Sequence, residues 1–165
     1  MRFRFREKFI SRNTIELTEN PEIVNWPETY YAFIEERGPF IESAPRAWQA
    51  LHKLTPTISE HNKIIGYMSL YKVEPKIYRA GVAVAAKAQN LPAGAQSMLF
   101  PGGKYSRFIL TGAYSNLPQA SARVFEILAE RKIPMRDAFC IENYVNNPRN
   151  TPEERLITEI VIPTV

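Results

Sequence analysis

Glu142 and Tyr144 lie two residues apart in "FCIENYVNNP", Phe139 to Pro148, a run that reads as a strand closed by a turn signal. Strand alternation puts Cys140, Glu142 and Tyr144 on one face and Phe139, Ile141 and Val145 on the other. An earlier run, "GYMSLYKVEP", has the same layout: Tyr67, Ser69 and Tyr71 share a face, and Tyr71 precedes Pro75 as Tyr144 precedes Pro148. Serine stands where the second run has glutamate. If the two faces meet, one carboxylate sits among three tyrosines. That set suits a flat aromatic or cationic guest, with rings to stack on, a cation–π surface and one balancing charge. The residues alone also allow a plainer reading, in which Glu142 is solvated like most acids and the tyrosines simply pack.

Other chemistries have little footing. His52, His61 and the single cysteine, Cys140, give no zinc-ligand spacing, so no metal is expected. Neither a Walker-type phosphate loop nor a dinucleotide fingerprint is present, and "FPGGKYS" lacks the required spacing and reads as a turn, so no cofactor is expected. No Ser-His-acid or Cys-His arrangement offers a nucleophile. One cysteine rules out an internal disulfide framework and fits a reducing cytoplasm, where Cys140 is an inert small hydrophobe. The start, "MRFRFREKFI", has no apolar h-region, and no apolar run reaches membrane-spanning length. The net charge of +4 permits an anionic partner without requiring one. Arg2, Arg4, Arg6 and Lys8 alternate with apolar residues. They could touch phosphates, but a charged edge strand resisting aggregation is the preferred reading, and direct nucleic-acid binding is not expected.

Two elements must position the candidate residues, and internal repetition indicates what they are. "YAFIEERGPFIESAPRAWQAL" from Tyr31 parallels "YSRFILTGAYSNLPQASARVFEIL" from Tyr105. Each passes from a strand-like run through a glycine and an aromatic, Gly38 and Phe40 or Gly112 and Tyr114, then through Pro45 or Pro118 into a helical pattern. "YRAGVAVAA" and "LITEIVIPTV" complete the halves. Helices are expected near about residues 44–54 and 117–132. The predicted fold is α+β: two tandem β-α-β-β repeats, at about residues 22–88 and 95–165, related by a pseudo-twofold within one domain. The sheets are expected to be antiparallel, with helices on one face. "KAQNLPAGAQ" links the halves and leads into the first strand of the second, and residues 1–21 form an N-terminal strand extension.

Four segments, "YYAFIEERGPF", "YRAGVAVAA", "LPAGAQSMLFPGGKYS" and "IENYVNNPRNTPEERLITEIVIP", together resemble the GyrI-like small-molecule-binding domain, also called the AraC effector-binding domain. The resemblance covers roughly residues 22–165. It implies two tandem modules with a ligand cleft between them, and a ligand-facing acid at the Glu-x-Tyr position, here Glu142. Related proteins often follow a helix-turn-helix domain. The N-terminal extension here is too short and strand-like for one, so the chain resembles a stand-alone member.

Two functions follow. One is a cytoplasmic binding module for a hydrophobic, aromatic or cationic small molecule, using Glu142, Tyr144, Tyr67 and Tyr71, with Phe40 and Tyr114 at the rim. The other is a hydrolase of strained, cyclopropane-type electrophiles with Glu142 as general base. A third, inhibition of another protein such as gyrase, rests on the resemblance alone. Trp48 is read as helix-to-sheet core, Trp26 and Tyr31 as undecided, and Glu159 as a reserve acid. His52 and His61 receive no role.

Overall fold

The computed structural model describes residues 14–165. The alternating basic run at residues 2–9 lies outside the described residues. Strands β1 (Glu16–Leu17) and β2 (Glu22–Trp26) precede β3 (Thr29–Arg37). Helix α1 (Phe40–His61) leads into β4 (Ile64–Lys72) and β5 (Ile77–Val84). After β6 (Gln96–Phe100) come β7 (Gly103–Thr111), a 3-10 turn (Tyr114–Asn116), α2 (Leu117–Glu130), β8 (Cys140–Tyr144) and β9 (Ile157–Pro163).

The nine strands of the described residues form one sheet, in the order β1-β7-β9-β8-β4-β5-β3-β6, with β2 also on β7. The pairings among β3 to β9 are antiparallel. The order within the first half, β3-β5-β4, is the reverse of β8-β9-β7 read outward from the other side of the centre. The two halves join where β4 meets β8, with Ser69 opposite Glu142. The strand directly after the linker, β6, hydrogen-bonds to β3. The strand that leads into α2 is β7.

Strands β6 and β7 stand toward opposite ends of this order, yet only Pro101 and Gly102 join them. The sheet must therefore curl until its ends approach, and the Phe100 and Tyr105 rings lie 6.4 Å apart. Inside the curl Tyr31, Phe33, Met68, Leu70, Ile141 and Val161 form one buried cluster. Its polar closure is Arg79, whose guanidinium lies 4.5 Å from the ring centres of both Phe33 and Phe139 and pairs with Glu35 at 2.9 Å.

Helices α1 and α2 pack on the opposite face. The buried side of α1 is Ser43, Ala47, Leu51 and Ile58, and that of α2 is Ala120, Val124, Ile127 and Leu128. These spacings are those of one helical stripe. Each helix follows a glycine with positive φ, 110° at Gly38 and 133° at Gly112, which turns the chain off its strand. The second helix begins with proline in its first turn, as expected. The first is longer than expected. It starts five residues before Pro45 and runs past Pro56, so both prolines are internal. Tertiary packing of the Ala47–Leu51–Ile58 stripe outweighs the two hydrogen bonds that prolines cannot donate.

The weight of stability sits in these cores. A fully buried Leu, Ile or Phe is worth about 1.5–3 kcal/mol. The surface cluster of Arg123 with Glu19, Glu126 and Glu130 is made of solvent-screened pairs that add little. Among the described residues, no helix is long and apolar enough to cross a membrane.

Candidate functional site

Helix α1 packs over β3 and β5, and α2 over β7. Between them lies the β4–β8 seam, whose helix-side face carries the candidate residues. Across β9, β8, β4 and β5 one row reads Thr158, Tyr144, Tyr67 and Val82. The next reads Ile160, Glu142, Ser69 and Ala80. A third runs Cys140, Tyr71 and Tyr78. The antiparallel register makes Glu142 and Ser69 direct cross-strand neighbours, so one position of the row is charged and its partner is not.

Aromatic rings rise on both sides. Trp48, from α1, meets the Tyr144 ring edge-on at 5.4 Å. Tyr114, from the turn before α2, meets it at 5.5 Å from another direction. Phe40 stands at the first residue of α1, 5.6 Å from Tyr71 and 5.8 Å from Tyr78. Glu142, Tyr144, Tyr67 and Tyr114 are half-buried, so the seam stays open to solvent there. Tyr71 is only 5% exposed and belongs to the floor. Its hydroxyl lies near Ser121 and Cys140 but makes no hydrogen bond of ordinary length.

Polar contacts end on the carboxylate. The Tyr144 hydroxyl donates to Glu142 Oε1 at 3.0 Å. It also lies 2.7 Å from Ser69 Oγ, which lies 2.6 Å from the Tyr78 hydroxyl. Trp48 Nε1–H donates to that hydroxyl at 2.8 Å. Protein crowds the Glu142 carboxyl despite its open side. The resulting desolvation raises its pKa above the ordinary carboxylate value, against the lowering effect of the Tyr144 hydrogen bond. Burial likewise pushes Tyr78 to about 12 and Cys140 to about 12. The thiol is thus inert, as its type suggested.

A stability prediction follows from the Glu142 shift. The folded state binds this proton more tightly than the unfolded chain. The penalty is absent below the unfolded value of about 4.3 and grows as pH rises through the folded pKa. Glu142→Gln should therefore raise Tm near neutral pH, with the gain shrinking as the pH is lowered to about 4. Melting curves across that range check it, and a pH-independent difference would contradict the desolvated carboxylate.

The GyrI-like small molecule binding domain matches residues 19–165. The chain belongs to this family. The C-terminal domain of EcmrR is a structural neighbour of this GyrI-like domain, with a TM-score of 0.72 at 14% identity, covering 92% of this chain and 98% of that one. SAV2435 bound to tetraphenylphosphonium gives 0.66 at 18%, covering 88% and 94%. A hydrolase from Listeria innocua gives 0.59 at 12%, covering 98% of each chain. Identities this low show a shared fold. No curated protein matches the sequence.

The GyrI-like domain thus gathers Glu142, Tyr144, Tyr67, Tyr71, Phe40 and Tyr114 at one seam, with Tyr71 beneath rather than beside the opening. Sequence reasoning did not single out Tyr78 and read Trp48 as helix-to-sheet core, against which it does pack. Tyr78 sits on β5, whose place beside β4 follows from pairing, while Trp48 turns its N–H toward the seam. Tyr31 is fully buried inside the curl, and Trp26 packs against that same inner cluster. The reserve acid, Glu159, pairs across strands with Asn143, which alternates with Glu142, so it faces away from the seam. There it receives Arg107 at 3.0 Å and Asn143 Nδ2 at 2.8 Å, and Arg107 also contacts Glu22. Glu159→Gln should cost on the order of 1–3 kcal/mol in stability and leave ligand affinity unchanged. Paired denaturation and binding measurements separate the two effects. His52 touches Trp48, with ring centres 5.6 Å apart, and His61 closes α1. Among the described residues, no three His, Cys, Asp or Glu side chains gather as metal ligands would.

Proposed function

We propose that the β4–β8 seam binds a hydrophobic small molecule, aromatic or cationic, with Glu142 balancing its charge. The observation that carries this reading is the carboxylate of half-buried Glu142, bonded to Tyr144, whose ring Trp48 and Tyr114 flank. No salt bridge among the described residues neutralises it. A cation seated there gains the carboxylate and several ring faces or edges at once. Membership of a small-molecule-binding family supports the pocket, and SAV2435 holds a lipophilic cation on the same fold. The expected role is drug or toxin sensing, sequestration or protection in the cytoplasm, without direct nucleic-acid contact.

The test is titration with a lipophilic cation and with a neutral compound of similar shape, followed by fluorescence and thermal shift. A ligand at a hundred times its Kd should stabilise by about 2.7 kcal/mol. Failure of every planar or tetrahedral lipophilic cation to bind would remove the reading.

A second reading is favoured by the raised pKa of Glu142 and its contact with a tyrosine hydroxyl. Glu142 would take a proton from water while the hydroxyl oxygen attacks a strained ring carbon. The ring bond breaks, its electrons pass to a conjugated carbonyl oxygen, and a tyrosine or solvent proton neutralises that oxygen. Product in excess of protein, abolished in Glu142→Gln, marks this chemistry. Binding without turnover marks the first reading.

A further inference from the structure

We propose that Trp48 is a positioning residue of the ligand site: its indole N–H sets the direction of the hydrogen-bond relay through Tyr78, Ser69 and Tyr144, so that Glu142 receives that relay at Oε1 and presents Oε2 to the ligand. This deepens the binding reading and rests on it only for the ligand's place at Oε2.

The directions follow from counting protons. Indole Nε1–H can only donate, and a carboxylate can only accept. Each hydroxyl between them has one proton. Tyr144 spends its proton on Glu142 Oε1, so Ser69 must donate to Tyr144. Tyr78 must then donate to Ser69, and the Tyr78 oxygen is left to accept from Trp48. Every group in the chain is satisfied in one direction. In the reverse direction a protonated Glu142 would donate to Tyr144, and Tyr78 would end with its proton facing the indole N–H. Trp48, which can only donate, disfavours that arrangement. Its presence therefore favours the ionised acid, because aligned hydrogen bonds polarise one another toward the charge.

The relay crosses four elements: α1, β5, β4 and β8. The groups that face Glu142 can be named element by element. Strand β8 supplies Cys140 and Tyr144, and β4 supplies Ser69, Tyr67 and Tyr71. Strand β9 brings Ile160 and β5 brings Tyr78. Helix α1 brings Trp48 with His52 against it. The turn before α2 brings Tyr114, and α2 places Ser121 near Tyr71. Cys140, Tyr71, Tyr78, Tyr114 and Tyr144 all have raised pKa values, so they stay protonated near neutrality. Of the remaining titratable neighbours, His52 is removed in a His52→Gln background, so its titration cannot mimic the effect.

The experiment follows the Glu142 carboxyl carbon directly, by NMR of protein labelled at the glutamate side-chain carboxyls, with the signal assigned by its loss in Glu142→Gln. Ligand-free protein is titrated with acid. Trp48→Phe and Tyr78→Phe should each raise the Glu142 midpoint, by roughly half to one pH unit. The double variant should move no further than the larger single shift, because both act through one chain. Cation affinity in Trp48→Phe should be weakened at pH values between the parent and the shifted Glu142 midpoints and recovered above the shifted one. If Trp48→Phe fails to fold, Tyr78→Phe carries the test alone. A midpoint that stays in place or falls in either Trp48→Phe or Tyr78→Phe overturns the proposal. So does an affinity loss in Trp48→Phe that is the same at every pH and for neutral ligands, which would make Trp48 a wall and nothing more. If the midpoints move as expected but no ligand binds, the relay stands and the binding reading falls.

Discussion

Glu142→Gln should weaken a lipophilic cation more than tenfold and leave a neutral compound of the same shape within about twofold. The substitution keeps side-chain size and the oxygen that accepts from Tyr144 at 3.0 Å, and removes only the charge. Truncating one partner of a desolvated charge pair typically costs about 2–5 kcal/mol, of which tenfold in affinity needs only about 1.4. The rings of Tyr144, Trp48 and Tyr114 remain in place, so the part of the affinity that comes from stacking is retained. Calorimetric titration of both compounds against both proteins measures the four affinities. Equal losses for cation and neutral compound, or none for either, would return Glu142 to the status of a solvated strand residue.

Gly81→Ala should lower Tm by on the order of 10 °C. A Cβ built at Gly81 would strike the Tyr31 ring and lie 2.6 Å from the Ala32 carbonyl oxygen. Neither obstacle can easily retreat. Tyr31 is fully buried and its hydroxyl donates to the Met68 carbonyl at 2.8 Å. Its ring stacks on Phe33 with centres 5.4 Å apart. The Ala32 oxygen is held by the β3–β5 ladder, in which Phe33 faces Gly81. Overpacking alone costs about 1–3 kcal/mol, and a displaced Tyr31 adds its lost hydrogen bond, about 0.5–1.5 kcal/mol. Tyr31→Leu together with Gly81→Ala should recover part of the loss by opening the space the methyl needs. A Tm within about 2 °C of the parent for Gly81→Ala alone would remove the close-packing account.

The seam was legible in the sequence because two short rules coincide there. Period-two alternation put Glu142, Tyr144 and Cys140 on one face, and Tyr67, Ser69 and Tyr71 on the matching face of the earlier run. The antiparallel register then brought Ser69 opposite Glu142. The rim residues Phe40 and Tyr114 were legible from their places after the turn glycines. Tyr78 was not, since it reaches Ser69 diagonally from a strand whose neighbour is fixed only by pairing. The curl of the sheet was hidden for the same reason. Alternation says which face a residue takes, not that Phe100 and Tyr105 meet across opposite ends of the strand order. Glu159 shows the limit from the other side. Its alternation was visible, but its face became definite only when β9 was paired with β8. The first helix outran its expected span because proline signals were read as boundaries, while the buried stripe from Ser43 to Ile58 continues through them.

The β4–β8 seam also has a kinetic meaning. Ser69 and Tyr144, which hydrogen-bond across it, are 75 positions apart in the chain. A contact so distant closes a long loop, and such loops are entropically slow to close. Each half can pair its own strands first, β3 with β5 and β4, β7 with β9 and β8, before the halves meet. On that order of events the relay and the aromatic walls that flank it would be completed at the last step of assembly. If those contacts form after the folding barrier, a ligand at the seam would slow unfolding while leaving the folding rate nearly untouched. A bound small molecule would act on this protein as a latch on its lifetime, lengthening the interval before the two halves part.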